Sequence, residues 1–394
     1  MIGTFDRDDV GEAWVAYEWA DRLSRCHDLT VLTVYRREQG HVSPQLPSAR
    51  VIEFREAWTS RRWARLNSML KPDYIPFYVR ARRWIKQAMA AGETFDIAYQ
   101  PVPTAMRYPS PVAGLGIPYV IGPVGGSIET PAAFGTEDTA PWFVGLRALD
   151  RARLRYDRLL RRTYIEAGCV LGSGPYVRGQ LADIPLRRFE VMIDSGITEM
   201  PQLDDSPAAE RPVRFLFVGR LVRTKGVRDA IRAMSRVPDL DVSLDIVGQG
   251  YDSDACAALI EELGQQDRIT MHGQRSKEEV AAFYKRSDVF LFPSYREAGG
   301  IVVAEAMSYG LPLIVASVGG PAYTVDDTCG VKIDVTNPAQ YARDLAAAIR
   351  LFATDPDLRG RLSAGARRRG SEIGLWENKV RRMNSIFDEV MAGH

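Results

Sequence analysis

The sequence predicts an α/β protein made of two doubly wound domains. Three observations carry that prediction. Short buried strand patterns alternate with helical patterns, the alternation runs twice, and a polar, proline-rich, aperiodic stretch at residues 198–212 separates the two runs. In the first run, residues 29–35 (LTVLTVY), 51–54, 95–99, 118–121, 169–172 and 189–193 read as strands. In the second, strands are expected at 213–218 (VRFLFV), 242–247, 268–272, 289–292 and 312–316, with helices at 228–236, 276–286 and 339–352. A closing pattern at 375–391 sets Trp376, Val380, Met383, Ile386, Phe387 and Val390 on one helical stripe. The expected organisation is a first domain over 1–197, a linker at 198–212, a second domain over 213–372, and a segment 373–394 whose helix packs back towards the first domain.

Composition bounds the function. At 394 residues there is chain enough for two cores, and 46% apolar with 26% charged residues suits a globular enzyme or binding protein. With 51 basic against 50 acidic side chains, overall charge does not point to nucleic acid. The four cysteines (Cys26, Cys169, Cys256, Cys329) form no C-x-x-C pair and the histidines number only four, which argues against disulfide frameworks, zinc sites and multi-histidine metal centres. Residues 1–7 carry charge and lack the apolar run of a secretion signal, and no window approaches the ~20 apolar residues of a membrane span. A cytoplasmic protein is expected.

In open α/β sheets ligands bind beyond the carboxyl ends of the strands, so loops that follow strands are where chemistry is sought. F-V-G-R-L-V-R-T-K-G (217–226) follows a strand and sets Arg220 and Lys225 at its mouth, after Gly219. A planar guanidinium fork and an ammonium point charge suit a diphosphate; two solvated surface charges would read the same way. D-I-V-G-Q-G (245–250) brings Gly248 and Gly250, but Ser253 stands where a dinucleotide fingerprint needs its third glycine, so a plain turn is the simpler reading. M-H-G-Q-R (271–275) follows the next strand with Gly273 and Gln274, and its His272 reads as a hydrogen-bonded structural histidine rather than a base.

The strand V-F-L-F (289–292) leads into a loop in which Gly299 and Gly300 stand where a helix begins, with Gly310 as its stop. A helix start offers unpaired N–H groups and a positive dipole end to phosphate, and glycine admits a ligand close to the backbone. Glu305 lies ~7–8 Å along the helix axis from Gly300, and Glu297 lies on the other side of the glycines. Carboxylates are poor partners for phosphate and good acceptors for sugar hydroxyls. A ligand with a central diphosphate and hydroxyl-bearing rings at both ends, which is the shape of a nucleotide-sugar, would meet this arrangement. An amphipathic core helix with incidental acids is the plainer alternative.

In order, spacing and strand context, Val218–Gly226, Val247–Gly250, Ile269–Gly273 and Pro293–Pro312 resemble the second-domain pattern of glycosyltransferase family 4. More loosely, D-V-G-E-A-W (9–14) resembles the family's first glycine loop, and G-P-V-G-G-S (122–127) a loop of some members. The resemblance implies the GT-B fold, two Rossmann-like doubly wound domains facing across a cleft. It also implies retaining, metal-independent sugar transfer from a nucleotide-diphosphate sugar to a hydroxyl acceptor, in cell-surface glycan or glycolipid synthesis, with no cofactor beyond the donor. Carried over, Arg220 and Lys225 hold the diphosphate and Glu297 contacts the transferred sugar, these three being the catalytic set. Glu305 takes the ribose hydroxyls, and the amides of Gly300 and Ile301 take phosphate or sugar. Gly219, Gly248, Gly250, Gly273 and Gln274 complete the donor site, and Gly11, Glu12, Gly125 and Gly126 face the cleft from the first domain. Two departures stand out. Gly299 replaces a residue that is usually bulky, which implies a more open sugar pocket, and the chain reaches its first loop (M-I-G-T-F-D-R) without the apolar strand that normally precedes it, which bears on Gly3 and Asp6.

The stretch 55–86 holds nine Lys or Arg against two acids, interleaved with Trp58, Trp63, Tyr74, Phe77, Tyr78 and Trp84, and 147–162 adds seven arginines. Such helices suit an anionic membrane surface and a lipid-linked or glycan acceptor; solvated faces with the aromatics in the core fit equally. A nucleotide-sugar epimerase or phosphorylase on the same scaffold, or a non-catalytic nucleotide-sugar binding protein, are the competing functions.

Overall fold

The structure is a computed structural model that describes residues 5–7, 11–35, 40–56, 74–135, 148–202 and 212–393. The chain divides into two compact units, the first comprising Met1–Ser127, Phe143–Asp194 and Glu377–His394, the second Ile128–Trp142 and Ser195–Trp376. This differs from the expected domain limits. The first unit ends at Asp194, ahead of the proline-rich stretch, and the segment starting at Ile128 belongs to the second unit. Phe134 gives the physical reason: it is fully buried in the second unit's core, its ring 4.6 Å from that of Tyr295 and 6.1 Å from that of Tyr341. The last helix, Trp376–Ala392, clusters with the first unit from Glu377 onward.

The first unit has strands β1 (Thr30–Tyr35), β2 (Arg50–Arg55), β3 (Ala98–Gln100), β4 (Tyr119–Val124), β5 (Cys169–Gly172) and β6 (Phe189–Val191). Among the described residues they form two parallel sheets, β1-β2 and β3-β4-β5-β6. The helix Glu12–Leu23 precedes β1 and buries Ala16, Trp19 and Ala20, spaced to share one face. Of the two basic stretches, residues 57–73 and 147 lie outside the described residues. Within the helix Tyr74–Ala90, Tyr74 and Phe77 are buried, Tyr78 and Trp84 pack against the same core, and Arg82 donates to the carbonyls of Pro111 (2.8 Å) and Ala113 (2.7 Å). The described aromatics of this stretch therefore belong to the core. Among the described residues no helix is long and apolar enough to cross a membrane.

The second unit carries β7 (Val213–Val218), β8 (Val242–Val247), β9 (Ile269–Gly273), β10 (Val289–Phe292), β11 (Leu313–Ala316) and β12 (Gly330–Ile333). All pairings are parallel and the order is β12-β11-β10-β7-β8-β9. β10, β11 and the last four residues of β7 are buried throughout, which explains their continuous apolar runs. β12 and the helix Pro356–Gly374 were not expected; G-V-K-I is four residues long with an exposed lysine, too short and too mixed for a periodic signal. In this order the chain winds outward from β7 through β8 to β9, then returns to β10 beside β7 and winds the other way. The switch point lies between β7 and β10, and the crevice at the carboxyl ends of those two strands is where such a sheet takes a ligand.

Candidate active site

Two loops meet at the switch point, one after β7 and one after β10. The β7 loop closes in a tight turn, Arg223–Lys225, followed by Gly226 in the left-handed region at φ 74°. A Cβ on Gly226 would lie 2.0 Å from the Pro293 carbonyl oxygen, so only glycine lets the two loops touch. The Tyr295 amide seals the contact by donating to Thr224 O at 3.1 Å. The consequence is a salt bridge between Lys225 Nζ and Glu297 Oε2, both mostly buried, with the ammonium 5.2 Å above the Phe292 ring. Beneath it the fully buried Arg223 grips Asp229 with two bonds of 2.6 and 3.1 Å, and its guanidinium stacks over Phe134 at 5.4 Å and Tyr295 at 5.7 Å. Arg220 is exposed at the mouth, and among the described residues its side chain makes no hydrogen bond or ion pair.

The helix Ile301–Ser308 starts at Gly300, φ 90°, which has no side chain with which to cap it. Its first amides, Ile301 and Val302, have no carbonyl one turn back to bind and so point outward as donors. Glu297 sits directly before this start, its carbonyl held by the Gly320 amide at 3.0 Å. Gly299 is buried, and a Cβ on Gly320 would come within 2.8 Å of its α-carbon. Gly320, at the start of the helix Gly319–Thr324, thus packs against the Gly299 backbone.

One turn along, Glu305 is half-buried and accepts from the Tyr284 hydroxyl at 3.0 Å. Burial pushes its carboxyl above the ordinary range, opposed by that hydrogen bond and by the charge of Lys277. An acid raised in the folded state stabilises most below its unfolded pKa, and that contribution is lost as pH rises through the folded value. Ligand hydroxyls need the ionised form as acceptor, so nucleotide affinity is expected to rise with pH through the same window. Tyr284→Phe removes a bond that favours the carboxylate and should move the affinity profile to higher pH; identical titration profiles by calorimetry would remove the link between Glu305 and the ligand.

The remaining glycines do other work. A Cβ on Gly248 would lie 1.9 Å from Gly219 O, and one on Gly250 would lie 2.1 Å from Leu221 O, so both let the β7 and β8 loops pack together. Their amides are occupied: Gly248 donates to Gly273 O (2.8 Å) and Gly250 to Ser253 Oγ (3.0 Å). Gln274 is exposed beyond β9. His272 bonds Asp245 at 2.6 Å, and Arg286 reaches the same carboxylate at 3.1 Å.

In the first unit, Gly11 is exposed at φ 70° and heads the helix Glu12–Leu23. Thr104 ties two of the expected residues together, donating to Glu12 Oε1 at 2.7 Å and accepting from the Gly125 amide on its carbonyl at 2.7 Å. The Gly126 amide donates to the Tyr176 hydroxyl at 3.1 Å. Both glycine amides are thus already engaged within the first unit. The Asp6 amide donates to Ala13 O at 3.2 Å and its carboxylate accepts from Gln45 at 3.1 Å, while Gly3 lies outside the described residues. Arg223, Tyr284 and the Gly319–Gly320 turn were missed in the sequence. Only the V-G-G-P run around the last of these carries a local signal, a glycine pair directly after a strand.

Residues 201–369 match the model of the family described as "Glycosyl transferases group 1". The matched segment spans all six strands of the second unit and none of the first. The group 1 segment holds every residue of the switch-point crevice except Phe134. A curated relative, the D-inositol 3-phosphate glycosyltransferase of Xylanimonas cellulosilytica, is 32% identical over 178 residues, 44% of this chain and 41% of the relative. Another of that name from Thermomonospora curvata is 32% identical over 185 residues, 44% of this chain and 42% of the relative. The chain thus aligns with about two fifths of the length of these relatives. Across its whole length the fold is that of GT-B glycosyltransferases, with two Rossmann-like domains. Sucrose-phosphate synthase from Thermosynechococcus elongatus superposes with a TM-score of 0.68 at 20% identity, covering 100% of this chain and 96% of that one. Anabaena Alr3699/HepE, crystallised in complex with UDP and glucose, gives 0.63 at 16% identity, covering 97% and 98%.

Proposed function

We propose that this protein is a retaining, metal-independent glycosyltransferase that moves a sugar from a nucleotide-diphosphate sugar to a hydroxyl acceptor. The observation that carries the reading is the Lys225–Glu297 pair set against the uncapped helix start at the switch point. Without ligand the ammonium is neutralised by the carboxylate. A bound diphosphate would draw Lys225 to its oxygens, and Glu297, released beside the helix start, would accept hydroxyls of the transferred sugar. As the bond from the anomeric carbon to the diphosphate oxygen breaks, negative charge grows on the leaving group. Lys225, Arg220 and the Ile301 amide would meet it, which is the work a metal would otherwise do. The acceptor oxygen bonds the anomeric carbon on the face the leaving group vacates, and its proton passes to the departing phosphate. Glu305, one helical turn deeper, suits the ribose hydroxyls. The glycosyltransferase names of the curated relatives and the UDP complex of the Anabaena neighbour support the donor class.

The test incubates the full chain with UDP-, GDP- and ADP-sugars, simple alcohols and a chelator, following nucleotide release and product anomer by NMR. Acceptor-dependent nucleotide release with retained configuration in chelator is the expected result. Conversion of donor without acceptor, sugar phosphate formed in phosphate buffer, or binding with no turnover would each replace it.

A further inference from the structure

A segment from outside the family match is built into the switch-point crevice. The chain leaves the first unit after Ser127 and enters the second at Ile128, well ahead of residue 201, where that match begins. Ser127 stands at φ 55°, the left-handed region that side chains disfavour, and among the described residues no other residue except glycine does so. Such a conformation persists where its surroundings hold it. On one side the Ser127 carbonyl accepts from Gln180 Nε2 at 3.3 Å. On the other, Ile128 and Phe134 are buried within the second unit.

These two side chains reach both loops of the crevice. Ile128 meets the β10 loop. A Cβ placed on Gly319 would lie 2.9 Å from Ile128 Cδ1 and 2.0 Å from the Glu297 carbonyl oxygen, so the Ile128 methyl packs where Gly319 passes the backbone of Glu297. Phe134 touches both loops at once, its ring 4.6 Å from that of Tyr295 and 5.4 Å from the Arg223 guanidinium. Arg223 stands two residues before Lys225, and Tyr295 stands two residues before Glu297. The Tyr295 hydroxyl ties these two supports together by donating to the Arg223 carbonyl at 3.0 Å. A displacement of either support therefore passes through a single intervening residue to the ammonium or the carboxylate.

We propose that Ile128 and Phe134 are positioning residues of the donor site, a clasp that holds the two loops at the spacing the Lys225–Glu297 pair requires. The proposal rests on the reading of that pair as the site of sugar transfer. Phe134 is fully buried and acts through Arg223 and Tyr295, while Ile128 acts through Gly319 and the Glu297 backbone. A misplacement of about 1 Å at groups that meet developing charge can cost about a hundredfold in rate.

The test is Phe134→Leu in the full chain, which keeps an apolar side chain and removes the ring face, beside Ile128→Ala and, as a control, Phe352→Leu. Phe352 is buried in the same core but lies about 16 Å along the helix Pro338–Thr354 from Tyr341. Without ligand, amide exchange at Lys225, Gly226 and Tyr295, whose N–H groups bond within and between the loops, is expected to quicken about tenfold in Phe134→Leu and to match wild type in the control. With a donor that turns over, kcat is expected to fall about tenfold or more in Phe134→Leu and to hold in the control, with acceptor KM unchanged in both. Phe134→Leu/Lys225→Ala should lose far less than the product of the two single losses, because both act on one pair. Losses that multiply in full, or exchange and kcat that merely track unfolding temperature in every variant, overturn the proposal. If Phe134→Leu fails to fold, Ile128→Ala carries the same comparisons. A wild-type chain that turns over no donor ends the sugar-transfer reading by itself, and exchange at the two loops still decides the clasp.

Discussion

Lys225→Ala is expected to lower turnover by about 10²–10³-fold, the usual loss when one group that stabilises developing charge is removed. The effect comes from two sides. The site loses a mostly buried cation, and Glu297 loses its ion-pair partner. The fold should persist, since the pair joins two loops that Gly226 and the Tyr295 amide already hold together. Lys225→Arg should recover part of the rate, because charge is kept while the point contact is replaced by a fork. Wild-type kcat in the alanine variant, measured with saturating donor, would sink the assignment.

Arg223→Met is expected to have the largest effect on stability. Arg223 and Asp229 are both fully buried, and removing Arg223 leaves the buried Asp229 with the longer 3.4 Å contact of Arg232, so the loss is expected at the low end for a broken buried pair, about 3 kcal/mol. For a unit of this size that is roughly a 10 °C fall in unfolding temperature. The loss should be recovered largely in Arg223→Met/Asp229→Leu, because two apolar groups of similar volume leave no buried charge behind. A double variant as unstable as the single one would show that the guanidinium's stacking on Phe134 and Tyr295, rather than its charge, holds the loop. Either way the turn Arg223–Lys225 depends on Arg223, so donor affinity should fall with stability in the single variant.

The two substitutions differ in how visible their residues were in the sequence. Lys225, Arg220, Glu297, Gly300 and Glu305 stand in loops after strands or at a helix start, where glycine, charge and apolar runs occur together within a few residues. Their place at the strand ends follows from the chain itself, as does the strand and helix alternation around them. Arg223 looks like one more loop charge until Asp229 and the ring of Phe134 are seen around it. Tyr284 looks like a core aromatic until its hydroxyl is found on Glu305. Gly125 and Gly126 look like a bare glycine loop until their amides are found on Thr104 and Tyr176.

Sequence alone therefore determined the fold class, the two-unit organisation and the strand-end loops that bear the site, because periodicity, glycine and charge act over a few contiguous residues. Tertiary structure alone decided that β10 lies beside β7, that Lys225 meets Glu297, and that Ile128 onward belongs to the second unit. Those outcomes depend on which distant segments share one core, and burial and backbone hydrogen bonding settle that only when the whole sheet has closed.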